Sequence, residues 1–234
     1  MSTLNENNYR HELKFLLTRS KAEILKYRLG LIMEKDLNAD TENGEYIIRS
    51  LYFDDIYNTS YYEKLDGIKE REKYRIRCYN GSDDFITLEL KAKNGDLSYK
   101  RRNRIEKSDY INIITRNYDL IDDTDRPVLK DFLYKAKSIN LKPSVIVEYK
   151  RIAFTYPFED VRITFDEDIS SGRHNYDLFD DDLILYPVLE DGEVVLEVKY
   201  NNKLPNILND VIKTVPMIRI AVSKFALCTE RKGV

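Results

Sequence analysis

The run KYRIRCYNGSDDFITLELKAKNGDLSYKRRNRI, residues 73–105, decides the fold. Side chains alternate across a β-strand, so a period of two shows what each sheet face carries. In residues 73–79, Lys73, Arg75 and Arg77 share one face while Tyr74, Ile76 and Cys78 take the other. In residues 87–93, Glu89, Lys91 and Lys93 oppose Leu88, Leu90 and Ala92. Lys100, Arg102 and Arg104 again share a face. Asn80-Gly81 and Asn94-Gly95 separate the three runs, and such pairs tolerate the positive φ of a tight hairpin turn. The stretch reads as three antiparallel strands, apolar on one side and charged on the other.

The same alternation recurs outward in both directions. Upstream, Tyr9–Leu17 sets Leu13 and Phe15 against Arg10, Glu12 and Lys14, and Tyr46–Phe53 is a second strand. Downstream, strands are expected at Val145–Phe154, at Val161–Asp166 and at Val194–Tyr200. There Arg162, Thr164 and Asp166 oppose Val161, Ile163 and Phe165, and Glu197 and Lys199 oppose Leu196 and Val198. Helices are expected over Ser20–Lys35, Ser108–Asn117, Arg126–Ile139, Asn206–Thr214 and Val222–Thr229. The first is capped by Thr18 or Ser20 and buries Leu25, Leu29, Ile32 and Met33. The third has Pro127 in its first turn and Val128, Leu129, Phe132, Leu133 and Ala136 facing inward. With no repeat and no shift of composition, the expectation is α+β: one domain over residues 1–234, a large antiparallel sheet with helices packed on it.

Composition excludes several classes. In 234 residues, 38 basic side chains face 41 acidic ones, so bulk charge selects no partner. Gly 8 and Pro 6 are too few for a linker-rich or disordered chain. No apolar run approaches the roughly 18 residues of a membrane span, and Met1–Tyr9 lacks the apolar stretch of a secretory signal. Cys78 and Cys228 are too few for a disulfide framework, which suits a cytoplasmic location.

The placement of the charges carries the functional signal. A sheet with one wet face accounts for any single strand here. The set is harder to explain, because neighbouring strands put Lys and Arg opposite one another, which is destabilising without an anion between them. Curled with this face inward, the sheet makes a cationic passage fit for a polyanion. Phosphate chains meet that demand: Arg grips a phosphoryl group bidentately and Lys supplies a mobile point charge. Lys93 and Lys199 lie on these faces as candidate substrate contacts. The acids Glu12, Glu89 and Glu197 would repel phosphate unless they hold Mg²⁺ or Mn²⁺ through hard oxygen ligands. Glu197 is the first choice of ligand; a salt bridge to a neighbouring Lys is the competing account.

Nine segments in order resemble one family: YRHELKFLL (9–17), IRSLYFDD (48–55), KYRIRCY (73–79), LELKAK (88–93), YKRRNRI (99–105), VEYKRIAF (147–154), VRITFDEDI (161–169), LEVKY (196–200) and SKF (223–225). They are similar to the VTC domain, the polyphosphate polymerase module of the triphosphate tunnel metalloenzyme (CYTH-like) superfamily. The resemblance implies a closed antiparallel β-barrel, its tunnel lined by cations and acids, with helices around it. It implies that Lys14, Arg75, Arg77, Lys91, Arg151, Arg162 and Lys224 grip phosphates. Lys100 and Arg102 fall in another matching segment, and Glu197 becomes the metal ligand. The superfamily's Glu-x-Glu-x-Lys reads Arg10, Glu12 and Lys14 here, a loss of one acid that favours polymerase over triphosphatase. The inositol-phosphate-sensing domain and membrane helices of eukaryotic members are not read in these residues, so a stand-alone catalytic domain is expected.

The implied reaction moves the γ-phosphoryl group of ATP to the end of a growing polyphosphate chain, with ATP and polyphosphate as the partners and no nucleic acid. No protein nucleophile is expected, and no P-loop or Ser-His-Asp arrangement stands out. One rival is a hydrolase of tripolyphosphate or nucleoside triphosphate in the same tunnel. Another is a non-catalytic binder of polyanions or single-stranded nucleic acid. His11 falls on the apolar face of its strand and His174 in a polar loop, so neither is read as catalytic. Tyr52, Phe53, Tyr57, Tyr61 and Tyr62 are read as packing rather than as a base-stacking platform, Arg49 and Arg71 as phosphate contacts or salt bridges, and Asp54 and Asp55 as turn formers.

Overall fold

Alternation builds an antiparallel sheet of 11 strands, and its curl is what positions the charged face. In the computed structural model, residues 10–36, 44–94, 97–121, 125–172, 175–221 and 223–230 are described. The elements run β1 (His11–Thr18), α1 (Arg19–Gly30), β2 (Glu34–Lys35), β3 (Glu45–Asp54), α2 (Thr59–Leu65), β4 (Glu70–Tyr79), β5 (Ser82–Asn94) and β6 (Leu97–Ile105). Then come α3 (Lys107–Ile114), a 3₁₀ turn at Tyr118–Leu120, α4 (Pro127–Ser138), β7 (Lys142–Tyr156), β8 (Val161–Gly172) and β9 (Leu185–Pro187). The chain ends with β10 (Glu193–Tyr200), α5 (Asn206–Lys213), β11 (Ile218–Arg219) and α6 (Lys224–Glu230).

The strand order is β11-β1-β10-β8-β7-β3-β4-β5-β6, with β2 on β7 and β9 on β8. The far strand β6 curls back to the start of β1, where the Arg10 N–H donates to the Ser98 carbonyl at 3.4 Å. Lys91 of β5 also reaches across to Glu12 of β1 at 3.1 Å. Among the described residues the expected barrel is therefore a curled sheet whose last seam is held by the Arg10–Ser98 bridge and the Glu12–Lys91 ion pair, not by a continuous ladder.

The hairpin signal at Asn80-Gly81 holds: both residues take positive φ, 51° and 70°, between β4 and β5. Gly95 of the second hairpin signal and His174 lie outside the described residues. The first helix stops at Gly30, short of the expected Lys35, because Glu34 and Lys35 pair with Thr155 and Phe154 of β7 instead. Thr18 occupies its N-cap position without a capping bond from its side chain. Strand β8 runs past Asp166 to Gly172, with an irregularity in its pairing with β7 between Glu148 and Lys150. Helix α2 and the short β9 and β11 were not anticipated; α2 buries no residue and so lacks an apolar stripe to read.

The apolar faces point outward, under helices. The buried face of α4 (Val128, Leu129, Phe132, Leu133, Ala136) packs with Tyr74, Ile76, Leu88 and Leu90 of β4 and β5. Leu25 and Leu29 of α1 and Leu208 and Ile212 of α5 pack with Ile163, Phe165, Leu196 and Val198 of β8 and β10. At about 1.5–3 kcal/mol per buried large side chain, these outer layers stabilise the sheet. The inner face is thereby released from core duty. Only at one end is it apolar: Phe225 and Cys228 of α6 pack with Ile48, Val145, Val147 and Val195. Those strand residues share parity with Tyr52, Tyr149, Arg151 and Glu197, so α6 plugs that end of the curl from within.

Candidate functional site

The inner face encloses a cavity of about 1120 Å³. Its lining is dominated by Lys and Arg from β1, β4, β5, β8 and β10, with Glu12 and Glu197 as its acids. Of the residues singled out from sequence, Lys14, Arg75, Arg77, Lys91, Lys93, Lys100, Arg151, Arg162, Lys199 and Lys224 all line it. Glu89 is fully buried behind the wall, and Arg102 is exposed outside the lining.

Lys224, the first residue of α6, is brought in by the packing of Phe225. Its ammonium donates to Glu197 Oε1 at 2.7 Å and also pairs with Asp166. Burial opposes its charge, and Asp166 and Glu197 outweigh burial and raise its pKa. Asp166 in turn takes a bidentate grip from Arg151, at 2.6 and 2.7 Å. Glu197 accepts from Lys199 at 3.0 Å, with Lys14 at 3.8 Å and Arg151 at 3.9 Å. Burial would raise its pKa, but these cations hold the carboxyl well below the usual range. Glu12 is held down in the same way against burial by Lys91 and Lys14, the latter at 2.9 Å.

Three arginines of the wall, Arg75, Arg77 and Arg162, are held by tyrosine or serine hydroxyls. Arg75 Nη1 donates to Tyr52 Oη at 2.7 Å, while its Nε and Nη2 hold Glu89 Oε2 at 2.7 and 2.5 Å. Arg162 donates to Tyr46 Oη at 3.0 Å and pairs with Asp36 at 2.5 Å. Arg77 differs. Its Nε donates to Ser50 Oγ at 3.1 Å and its Nη2 to Tyr149 Oη at 3.2 Å, and no carboxylate pairs with it among the described residues. A guanidinium only 5% exposed thus makes no ion pair among the described residues; Glu89 favours its charge from a distance, while burial and Arg75 oppose it.

Two of the three candidate metal ligands, Glu12 and Glu197, face the cavity, and each is paired with lysines. Glu12 and Glu197 are ionised, face one cavity and share Lys14, and magnesium is commonly held by one or two carboxylates plus substrate phosphates. Glu89 does not join them; Arg75 and Lys100, the latter at 3.0 Å, occupy it. Among the described residues no group of three or more His, Cys, Asp or Glu converges on a metal position.

Sequence reasoning did not select Tyr149, Lys73, Lys64 or Arg219, all of which line the cavity. Tyr149 and Lys73 carried a signal, since each sits two residues from a selected arginine on the same face. Lys64 lies on the unread α2 and Arg219 on the two-residue β11, where no periodicity exists to find. Arg49 is tied up outside the cavity by Glu148 at 2.5 Å and by the Leu178 carbonyl at 2.8 Å. Arg71 reaches the cavity. His11 stacks on Tyr200 with ring centroids 5.0 Å apart. Tyr52 lines the cavity, Phe53 packs edge-on against Phe132, and Tyr57 and Tyr62 are exposed. The carboxylates of Asp54 and Asp55 accept backbone N–H bonds that open α2, as turn formers do.

The family model for the VTC domain matches residues 9–231. The chain belongs to the VTC domain family. No curated protein matches its sequence. Among solved structures, the PH1012 protein of Pyrococcus horikoshii OT3 aligns with 93% of this VTC domain and 98% of its own chain, at 12% identity and a TM-score of 0.50. The PH1819 protein of the same organism covers 95% and 99%, at 14% identity and 0.49. A Bacillus halodurans protein described as a candidate adenylate cyclase covers 88% of each chain, at 14% and 0.49. These likenesses concern the fold alone; the family match ties this VTC domain to polyphosphate- and triphosphate-related chemistry. No helix among the described residues is long and apolar enough to cross a membrane.

Proposed function

We propose that this VTC domain is a polyphosphate polymerase that transfers the γ-phosphoryl group of ATP to the end of an inorganic polyphosphate chain. The observation that carries the reading is Arg77, a buried guanidinium with neutral acceptors only, set in a cavity walled by Lys and Arg. Such a charge is costly without an anion, and a phosphate chain supplies one at every step of the passage.

In the transfer, an oxygen of the acceptor's terminal phosphate attacks the γ-phosphorus. The bond from that phosphorus to the β,γ-bridging oxygen breaks, and ADP leaves with the electron pair. The protein's task is in-line positioning and stabilisation of the charge on the moving group. Arg75, Arg77 and Arg162 are held by Tyr52, Tyr149 and Tyr46 and present pre-oriented donors. Lys14, Lys91 and Lys224 add point charges, and Arg151 is fixed by Asp166 as part of the frame. Lys93, Lys100 and Lys199 extend the cationic path for the chain. Glu197 and Glu12 are the residues that would hold Mg²⁺ or Mn²⁺, which would supply further neutralisation of phosphate charge.

Incubation of the protein with ATP and Mn²⁺, followed by gel separation of acid-stable chains, tests the reading. Long chains together with ADP are expected. Orthophosphate as the only product overturns the polymerase reading in favour of hydrolysis.

A further inference from the structure

Lys73 stands apart from the other cations of the cavity. Its Nζ is buried and makes no hydrogen bond, resting instead over the Phe225 ring at 4.2 Å from the centroid. Its register partner on β5 is Lys91, and Arg75 and Arg71 flank it on its own strand. Arg71, Lys64 of α2 and Lys91 repel a charge there, while Asp54 of β3 favours one and Glu63 of α2 feels its field. Lys224 of α6, beside Phe225, is engaged by Glu197 and Asp166. Among the described residues Phe225 supplies the one attraction in contact with the nitrogen, and a cation–π contact is worth about 0.5–2 kcal/mol. An amine aimed into a phosphate-binding cavity, stripped of water and lacking an acceptor, is a donor in search of one.

We propose that Lys73 is a phosphate contact of this cavity and that phosphate binding there is accompanied by proton uptake. The inference rests on the cavity being the phosphate site argued above. Burial first, and then the neighbouring Arg71, Lys64 and Lys91, push the Lys73 pKa down to about 7. A phosphate chain reverses the local field and gives the ammonium an acceptor, so the bound state holds a proton that the free state has largely lost. The sign follows from linkage. Below pH 7 the amine is already charged and the contact costs nothing. Above it, affinity through this contact falls by up to about tenfold per pH unit, because each binding event must first protonate the amine.

The test uses the full chain, tripolyphosphate without metal, and titration calorimetry at pH 8 in two buffers of different ionisation enthalpy. At that pH about nine-tenths of Lys73 is neutral, so the wild type is expected to take up ~0.9 proton more than Lys73→Met. Lys73→Met should also bind about tenfold more weakly at pH 6, the gap narrowing toward pH 9. Lys73→Arg, charged throughout, should keep the affinity and lose the uptake. It also serves if the Met variant fails to fold. Proton uptake equal to wild type in a folded variant overturns this inference alone. Failure of the wild type to bind tripolyphosphate overturns both this inference and the reading of the cavity beneath it.

Discussion

Arg77 and Arg151 line the same cavity and are both nearly fully buried, yet their removal should have very unequal consequences for stability. Replacing Arg77 with Met forfeits two charge-assisted hydrogen bonds, at about 1.5–3 kcal/mol each. In exchange it relieves the desolvation of a buried cation, on the order of several kcal/mol per ion, and its repulsion with Arg75. The two contributions offset, so Arg77→Met should unfold within about 1 kcal/mol of wild type. Replacing Arg151 with Met instead strips Asp166, which is 0% exposed, of its bidentate partner and leaves only Lys224. Breaking such a pair costs about 3–5 kcal/mol, or roughly 10 °C of melting temperature in a chain of this size. Urea denaturation and thermal melts read the stability difference. Turnover of ATP per folded molecule reads function, where loss of one preorganised donor to the moving phosphoryl group predicts a fall of about 10²–10³ in kcat for Arg77→Met. A strongly destabilised Arg77→Met with normal turnover once folded would refute the reasoning, because it would make Arg77 a structural strut and take it out of the phosphate path.

Arg75→Ala and Arg162→Ala should each abolish turnover in a folded protein, and wild-type rates in either would remove that residue from the phosphate path. In Glu197→Gln, activity and metal dependence should vanish together; an unchanged metal titration would assign Glu197 to the lysine network alone. Asp166 is buried, yet Arg151 and Lys224 hold its pKa below the usual aspartate range, so it contributes stability above about pH 4 that is lost as pH falls through its folded pKa. Urea midpoints measured from pH 6 to pH 2.5 should therefore fall less steeply below pH 4 in Asp166→Asn than in wild type. Cys78 lies on the outer face opposite Arg75 and Arg77, fully buried, and burial pushes its thiol up to about 11. Cys78→Ser should keep turnover per folded molecule, and the native thiol should resist alkylation at pH 8; a specific loss of turnover would mean that the strand faces are inverted.

The division of β4 and β5 into an apolar and a cationic face was legible because alternation is local: Lys73 to Cys78 carry it within six residues. The Asn80-Gly81 turn was legible for the same reason, its positive φ angles being a property of the residues themselves. Which face turns inward was not local. It depends on accumulated strand twist and on helices α1, α4 and α5 covering the apolar side, so that a sheet of ordinary alternation becomes a curl with its charges enclosed. The seam joins Arg10 to Ser98 and Glu12 to Lys91, pairs far apart in the chain that no window of sequence relates. Glu12, Glu89 and Glu197 all read as strand acids, with Glu197 preferred as a ligand; only the packed structure seats Glu89 under Arg75 and Lys100 while leaving Glu12 and Glu197 facing the cavity. Lys224 likewise joins them through the burial of Phe225 inside one end of the curl. Strand identity and face composition follow from near neighbours along the chain, whereas enclosure and ion-pair partners follow from contacts that exist only once distant segments have met.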